Sequence, residues 1–202
     1  MKLNDTARRH NGFIYSVLVV SGDEGFPEFV RKILPPEHFS PFVCVQSSAQ
    51  ARSKMSCDSF DLVLINTPLR DEFGTELASR VTETDVSGVV IAVKNDMFDE
   101  ISYCAGKYGV ITVAKPVSGQ AFTHAADLAL ATRDRFRRLQ SENELLMKRF
   151  DEVKTVSRAK CILIEYLKMT ENEAHKYIEK QAMDTRHSRG EVAKDIIKAY
   201  GR

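Results

Sequence analysis

No stretch of the sequence approaches the roughly 20 consecutive apolar residues that a bilayer span needs, which excludes a membrane-spanning helix. The four cysteines, Cys44, Cys57, Cys104 and Cys161, show neither a C-x-x-C pair nor any Cys/His spacing. A zinc site or redox pair is thereby set aside, and scattered thiols fit a reducing cytoplasm. Neither common type of glycine-rich phosphate loop is present. No nucleophile stands beside a base, and His10, His38, His124, His175 and His187 are isolated from one another. These absences argue against an enzyme, and no metal or cofactor is expected. The opening MKLNDTARRHNGFIYSVLVV has two arginines but no long apolar run and no small-residue cleavage site. Residues 1–13 are therefore read as a disordered lead-in and not as a signal peptide.

What is present is a chain of 202 residues, room for one large or two small domains, with 43% hydrophobic residues to fill a core. The net charge of +1 hides an asymmetry. Residues 1–126 carry 12 Lys+Arg against 15 Asp+Glu, residues 127–156 carry 7 against 6, and residues 157–202 carry 10 against 7. An acidic front and a basic tail point to units with different partners.

The front alternates two textures. YSVLVV (15–20), FVCVQ (42–46), LVLIN (62–66), GVVIAV (88–93) and GVITVA (109–114) are short, continuously apolar and rich in β-branched residues, the signature of parallel strands covered on both faces. Helix-like segments lie between them, near 24–33, 48–56, 73–81 and 98–107. Five β–α units with short connections predict an α/β domain over 14–125, a flavodoxin-like, doubly wound, five-stranded parallel sheet. Its functional loops belong at the strand carboxyl ends.

From Gln120 to Glu179 there is neither proline nor glycine. A helix starting near Ser118 is expected to continue well past Ala131. Within 126–156, Phe136 and Phe150 fall at heptad position a, and Leu139, Leu146 and Val153 fall at d, with Asn143 at the middle a. A lone Asn at a in a parallel pair bonds its symmetry mate and fixes register and dimer state. The expectation is a coiled-coil homodimer; the alternative is a long helix packed on its own chain. Residues 157–202 read as three short amphipathic helices. The first covers 156–167, the second opens at a Thr170/Glu173 capping box and ends near Met183, and the third carries Val192, Ala193, Ile196 and Ile197. DTRHSRG (184–190) reads as the turn before the last one.

The front resembles a response-regulator receiver domain. Gly74 stands eight residues after Asn66, and Lys115-Pro116 closes the fifth strand. The resemblance also defines what is missing. Where the family has two acidic residues after strand one, this chain has Ser21-Gly22, with Asp23 and Glu24 displaced. The acceptor aspartate is Asn66, and the Thr/Ser position falls on Val93, followed by Lys94. An amide is not a useful nucleophile, and the obvious magnesium ligands are gone. The pocket of Ser21, Gly22, Asp23, Asn66, Val93 and Lys115 is thus expected to be a pseudo-receiver pocket that phosphate does not switch. It would then serve as a docking place for a protein or small ligand. Asp23 and Asp71 are the acids a surviving phosphorylation would use.

The tail RAKCILIEYLKMTENEAHKYIEKQAMDTRHSRGEVAKDII (158–197) resembles an ANTAR domain, the RNA-binding module of transcription antitermination regulators. The match lies in Ala159-Lys160-Cys161-Ile162-Leu163-Ile164, Thr170 with Ala174, Ala182-Met183, and Val192-Ala193. Cys161 stands for Gly and Ile164 for Met, which predicts a slightly altered close helix contact. The resemblance implies binding of paired hairpin loops in a leader transcript. Splayed loop bases are open to stacking and edge recognition, and Lys or Arg contacts to phosphate supply affinity. Candidate contacts are Arg158, Lys160, Tyr166, Lys168, Met183, Arg186, His187 and Arg189; for Tyr166 and Met183 a place in the bundle core is the competing reading. The expected whole is a cytoplasmic, homodimeric RNA-binding antiterminator with no membrane partner. The competitors are a protein-interaction adaptor and a regulator that is still phosphorylatable.

Overall fold

The computed structural model describes residues 13–84 and 86–200; the expected lead-in over 1–13 lies, but for Phe13, outside the described residues. In chain order the elements are β1 (Tyr15–Ser21), α1 (Gly25–Ile33), β2 (Phe39–Val45), α2 (Ser48–Met55), β3 (Leu62–Asn66), α3 (Thr75–Thr84), β4 (Gly88–Lys94), α4 (Phe98–Gly106), β5 (Ile111–Lys115), α5 (Gly119–Leu167), α6 (Glu171–Thr185) and α7 (Arg189–Tyr200). The strands form one parallel sheet in the order β2-β1-β3-β4-β5. This is the flavodoxin-like doubly wound order that the alternating apolar runs predict.

Alternation along each strand builds the core in two halves. Val17, Val19, Leu62, Leu64, Val90 and Ala92 face one way, toward Phe26 and Val30 of α1 and Phe122, Ala126 and Leu130 of α5. Leu18, Val20, Val63, Ile65, Ile91 and Val93 face the other way, toward Ala51, Leu77, Val81 and Ile101 of α2, α3 and α4. Two glycines are required by geometry. A Cβ on Gly88 would stand 2.8 Å from the Ala129 backbone, so only glycine lets α5 lie this close to β4. Gly74 has φ +108°, a left-handed turn conformation before α3 that strains other residues.

The chain divides into two compact units, 1–137 and 138–202. The division falls between the two boundaries expected at 125 and 156, inside α5. The separate helix expected over 156–167 is instead the last part of α5, because nothing in the proline- and glycine-free run up to Leu167 breaks it. The turn expected over 184–190 is shorter, with α6 running to Thr185 and α7 starting at Arg189. In the second unit Ala159, Ile162, Leu163, Ala174, Ile178, Ala182, Val192, Ala193 and Ile196 form one small core. Both following helices open with reciprocal caps. Glu173 N–H donates to Thr170 Oγ1 (3.3 Å) while Thr170 N–H donates to Glu173 (2.8 Å). Glu191 N–H donates to Ser188 Oγ (3.2 Å) while Ser188 N–H donates to Glu191 (2.8 Å). Among the described residues no helix is long and apolar enough to cross a membrane.

Candidate functional sites: the Asn66 pocket and the C-terminal cleft

In the first unit the register brings Ser21 beside Asn66 and Asn66 beside Ala92, so β1 and β3 end together while β4 runs on to Lys94. Asn66 is only 7% exposed. Its Nδ2 donates to Ser21 Oγ (3.0 Å), and Ser21 Oγ–H donates to the Asp23 carbonyl (2.7 Å). The Ser21 proton being committed, the serine must accept from Asn66, which fixes the amide with Oδ1 turned away from Ser21. That Oδ1 is buried and has no hydrogen-bond partner. Lys115 Nζ donates to the Thr67 carbonyl. Burial lowers the Lys115 pKa, Asp23 partly restores it, and Lys94 lowers it further. One Asp23 carboxylate oxygen accepts from Gly25 N–H (3.1 Å).

These groups open on a cleft of about 290 Å³. Its polar end is Asp23, Asn66 and Lys115, and its apolar wall is Phe26, Phe29, Pro116 and Val117. Of the residues expected to form the pocket, Ser21 lies beneath it as the support of Asn66. Gly22 lies instead against Arg70. Val93 points into the opposite core half, because strand alternation turns it from the face that holds the cleft. The aromatic wall was not anticipated. Phe26 and Phe29 follow the first strand in the run GFPEF and pack edge-on against Phe122, a contact no local pattern announces. Among the described residues no cluster of three or more His, Cys, Asp or Glu could hold a metal ion.

Asp71 is engaged elsewhere. It accepts from Ser48 N–H (2.9 Å), Ala49 N–H (2.9 Å) and Ser48 Oγ (3.1 Å) at the start of α2. These backbone donors pull its pKa down to about 2. The residue is a helix cap, which argues against a role as substitute phosphoacceptor.

In the second unit a cleft of about 450 Å³ lies among α5, α6 and α7. Arg149, Lys160, His175 and Arg189 bring basic groups to it, Glu152 and Ser157 add polar ones, and Val153 and Val156 line its floor. Lys160 pairs with Glu171 (3.1 Å), and Glu179 pairs with both His175 (3.3 Å) and Arg189 (3.6 Å). The cleft thus gathers Lys160 and Arg189 from the expected contacts. Arg158, Lys168, Met183 and Arg186 lie outside it and are exposed, as are Tyr166 and His187. Met183 is 80% exposed, which decides against a core role, and Tyr166 is 55% exposed. Arg149 and His175 were not anticipated. The signal for Arg149 is its spacing of eleven residues from Lys160, three helical turns on one face. His175 is visible only once α6 folds back. Cys161 and Ile164 are exposed, so the altered close contact expected of them is absent from this bundle; Ala159, Ala174 and Ala193 provide the close approach instead.

Along α5 the expected seam is uncovered. Phe136, Leu139, Leu146, Phe150 and Val153 are each 53–65% exposed, and Asn143 is exposed with them. The alternative of a helix packed on its own chain therefore fails for this stretch.

A five-stranded doubly wound domain is thus followed in the chain by a long helix and two shorter ones. Residues 144–197 match the ANTAR domain family. Over 141 residues the chain is 26% identical to the transcriptional regulatory protein PdtaR of Mycobacterium tuberculosis, covering 70% of this chain and 69% of that one. The fold is also that of solved receiver domains. One is the signal receiver domain of an HD domain-containing protein from Pseudomonas fluorescens Pf-5 (TM-score 0.54, 17% identity, 62% of this chain and 93% of that chain). Another is a response regulator receiver domain protein from Clostridium thermocellum (TM-score 0.53, 18% identity, 61% and 99%). The chain thus carries an ANTAR domain at residues 144–197, behind a domain with the receiver fold in which Asn66 ends the third strand.

Proposed function

We propose that the protein binds tandem hairpins in a leader transcript as a cytoplasmic homodimer, and that its receiver-like domain acts without phosphorylation. The observation that carries the RNA reading is the cleft where Arg149, Lys160, His175 and Arg189 converge. Phosphate oxygens crossing it would replace Glu171 and Glu179 as partners of Lys160 and Arg189. Met183 and Tyr166, exposed in the same unit, offer apolar and aromatic surface to splayed loop bases. Arg158, Lys168 and Arg186 add charge outside the cleft. The dimer rests on the uncovered stripe from Phe136 to Val153 with Asn143 inside it. Two tethered modules would engage two hairpins with a joint affinity far above that of either alone. Phosphate independence rests on Asn66 and on the engagement of Asp71 at α2 and of Asp23 at Gly25.

A gel shift with the full chain and a two-hairpin leader RNA, run across a salt series, tests this. Lys160→Ala, Arg149→Ala and Arg189→Ala each remove one cation that neutralises a phosphate, and each should lower the salt slope by about 0.7–0.9. Equal binding to hairpin and unrelated RNA, with slopes unchanged in all three variants, would favour the adaptor reading. That reading draws on the same exposed Met183 and Tyr166, which a protein partner could cover.

A further inference from the structure

We propose that the cleft over Asn66 binds a small zwitterion of α-amino-acid size, which is the signal the unphosphorylated receiver-like domain senses. The inference rests on the reading that phosphate does not use this pocket. It begins from Asn66 Oδ1, a buried acceptor without a partner, held in place by the Ser21 chain of hydrogen bonds. An unmatched buried acceptor calls for a donor. Close by are one carboxylate, Asp23, and one ammonium, Lys115, the latter with a single N–H engaged by the Thr67 carbonyl. Beside them stands the wall of Phe26, Phe29, Pro116 and Val117.

The polar end sorts ligands by charge. A phosphoryl group or simple carboxylate would satisfy Lys115 but turn its oxygens on Asn66 Oδ1 and on Asp23, acceptor against acceptor. A simple amine would satisfy Asn66 and Asp23 but add a cation beside Lys115 and Lys94, whose charges already disfavour one another. A metal ion would find one carboxylate and one amide oxygen, too few for magnesium or calcium. A zwitterion meets all three groups, its ammonium on Asn66 Oδ1 and Asp23 and its carboxylate on Lys115. An apolar side chain would then lie on the phenylalanine wall. The volume of about 290 Å³ sits at the lower edge of ligand pockets, suited to an amino acid and small for a nucleotide.

The test is thermal shift and calorimetric titration of the full chain against the twenty α-amino acids. For phenylalanine, 3-phenylpropionate and phenethylamine serve as its two singly charged counterparts. The expected result is a saturable rise in Tm with at least one apolar amino acid and none with the counterparts. Binding should weaken by about tenfold or more in Lys115→Met and Asn66→Ala. It should survive in Asn66→Asp, which keeps an acceptor for the ammonium. Unliganded Tm values identify any variant that fails to fold, and Phe29→Ala tests the wall without touching the polar groups. No saturable shift with any amino acid overturns the proposal, as does binding indifferent to Lys115→Met. Labelling of the wild type by acetyl phosphate with magnesium is measured apart from this. Positive labelling would sink the phosphate-independent reading, whereas a failed titration without labelling would sink the zwitterion alone.

Discussion

Replacing Arg133 by Ala should loosen the start of α5 from the sheet. Arg133 lies on the part of α5 that packs on the front unit, and its side chain is 8% exposed. It pairs with Asp61 at the start of β3 and with Asp134 (2.6 Å), and its Nε donates to the Val86 carbonyl (3.3 Å). Asp61 also receives Ser16 N–H (2.8 Å) and Ser16 Oγ (2.9 Å) from β1, and Tyr15 OH donates to Asp134 (2.8 Å). Removing one partner of a fully buried pair costs about 3–5 kcal/mol. Here Asp61 is 21% exposed and keeps its two serine donors. The loss is therefore smaller, about 2–3 kcal/mol. For a unit of this size that lowers Tm by about 6–15 °C. Calorimetric melting of the full chain, with amide exchange in β1 and β3 reporting the front unit, reads the effect. Arg80→Ala, which breaks only the exposed pair with Glu76 (3.5 Å), should stay within about 0.5 kcal/mol of wild type and serves as control. In a double-mutant cycle the Asp61→Ala and Arg133→Ala effects should fall well short of additive. An Arg133→Ala protein as stable as the control, or a cycle with no coupling, would refute the claim that this network fastens α5.

Asn66→Asp should not restore labelling by acetyl phosphate with magnesium in a phosphate-sensitive gel, because Asp23 is the one native acid lining the cleft among the described residues, too few with the new carboxylate to hold the metal. The C-terminal unit should lose stability in acid. Backbone N–H donors at Thr170 and Ser188 hold Glu173 and Glu191 below their ordinary value of 4.5. Depressed folded-state values contribute stability that is present above that value and is lost as pH falls through the folded ones. Amide exchange of α6 and α7 should accelerate below pH 4.5, and Glu173→Gln, which removes the titrating carboxylate, should flatten that dependence for α6. Gly88→Ala should lower the front unit's Tm by several degrees in the same calorimetry, since its new Cβ would meet backbone atoms of Ala129 that cannot swing away.

The sheet was legible because its signal is local. Each strand is a short β-branched run and each break a turn residue, so Leu62–Asn66 came out as read. The place of Asn66 at the end of the third strand was legible for the same reason, a single residue where an apolar run stops. Clefts are different. The phenylalanine wall beside Asn66 and the meeting of Arg149, Lys160, His175 and Arg189 join positions far apart in the chain. No spacing rule along one element predicts them. Val93 shows the smaller failure, in which the right position along a strand was read without asking which face it turned to. The second unit's first helix was misread at its start because nothing local separates it from the helix before it.

The remaining tension concerns α5, where the proposed seam and the proposed RNA cleft claim neighbouring residues. Continued in phase from Asn143 and Phe150, positions a and d fall next on Ser157 and Lys160, and then on Ile164 and Leu167. Val153 belongs to the seam and also to the floor of the cleft, while Ser157 and Lys160 line the cleft. One face cannot hold a partner helix and a phosphate backbone at the same height. The chemistry sets the border. Phe136 to Val153 is apolar at every a and d position but Asn143, whereas Ser157 and Lys160 are polar, and Lys160 is already paired across to α6 by Glu171. A charged side chain at d weakens a seam, but in a groove open to water it is available to phosphate. The seam should therefore close by Val153 and leave the cleft open beyond it. In a background with all four cysteines changed to Ser, Asn143→Cys should form an intermolecular disulfide readily under mild oxidation. Ser157→Cys should do so slowly, and hairpin RNA should slow it further. Equal crosslinking at both positions, unaffected by RNA, would mean that the partner helix occupies the cleft and that RNA is read elsewhere, with Met183 and Arg186 the next residues to test.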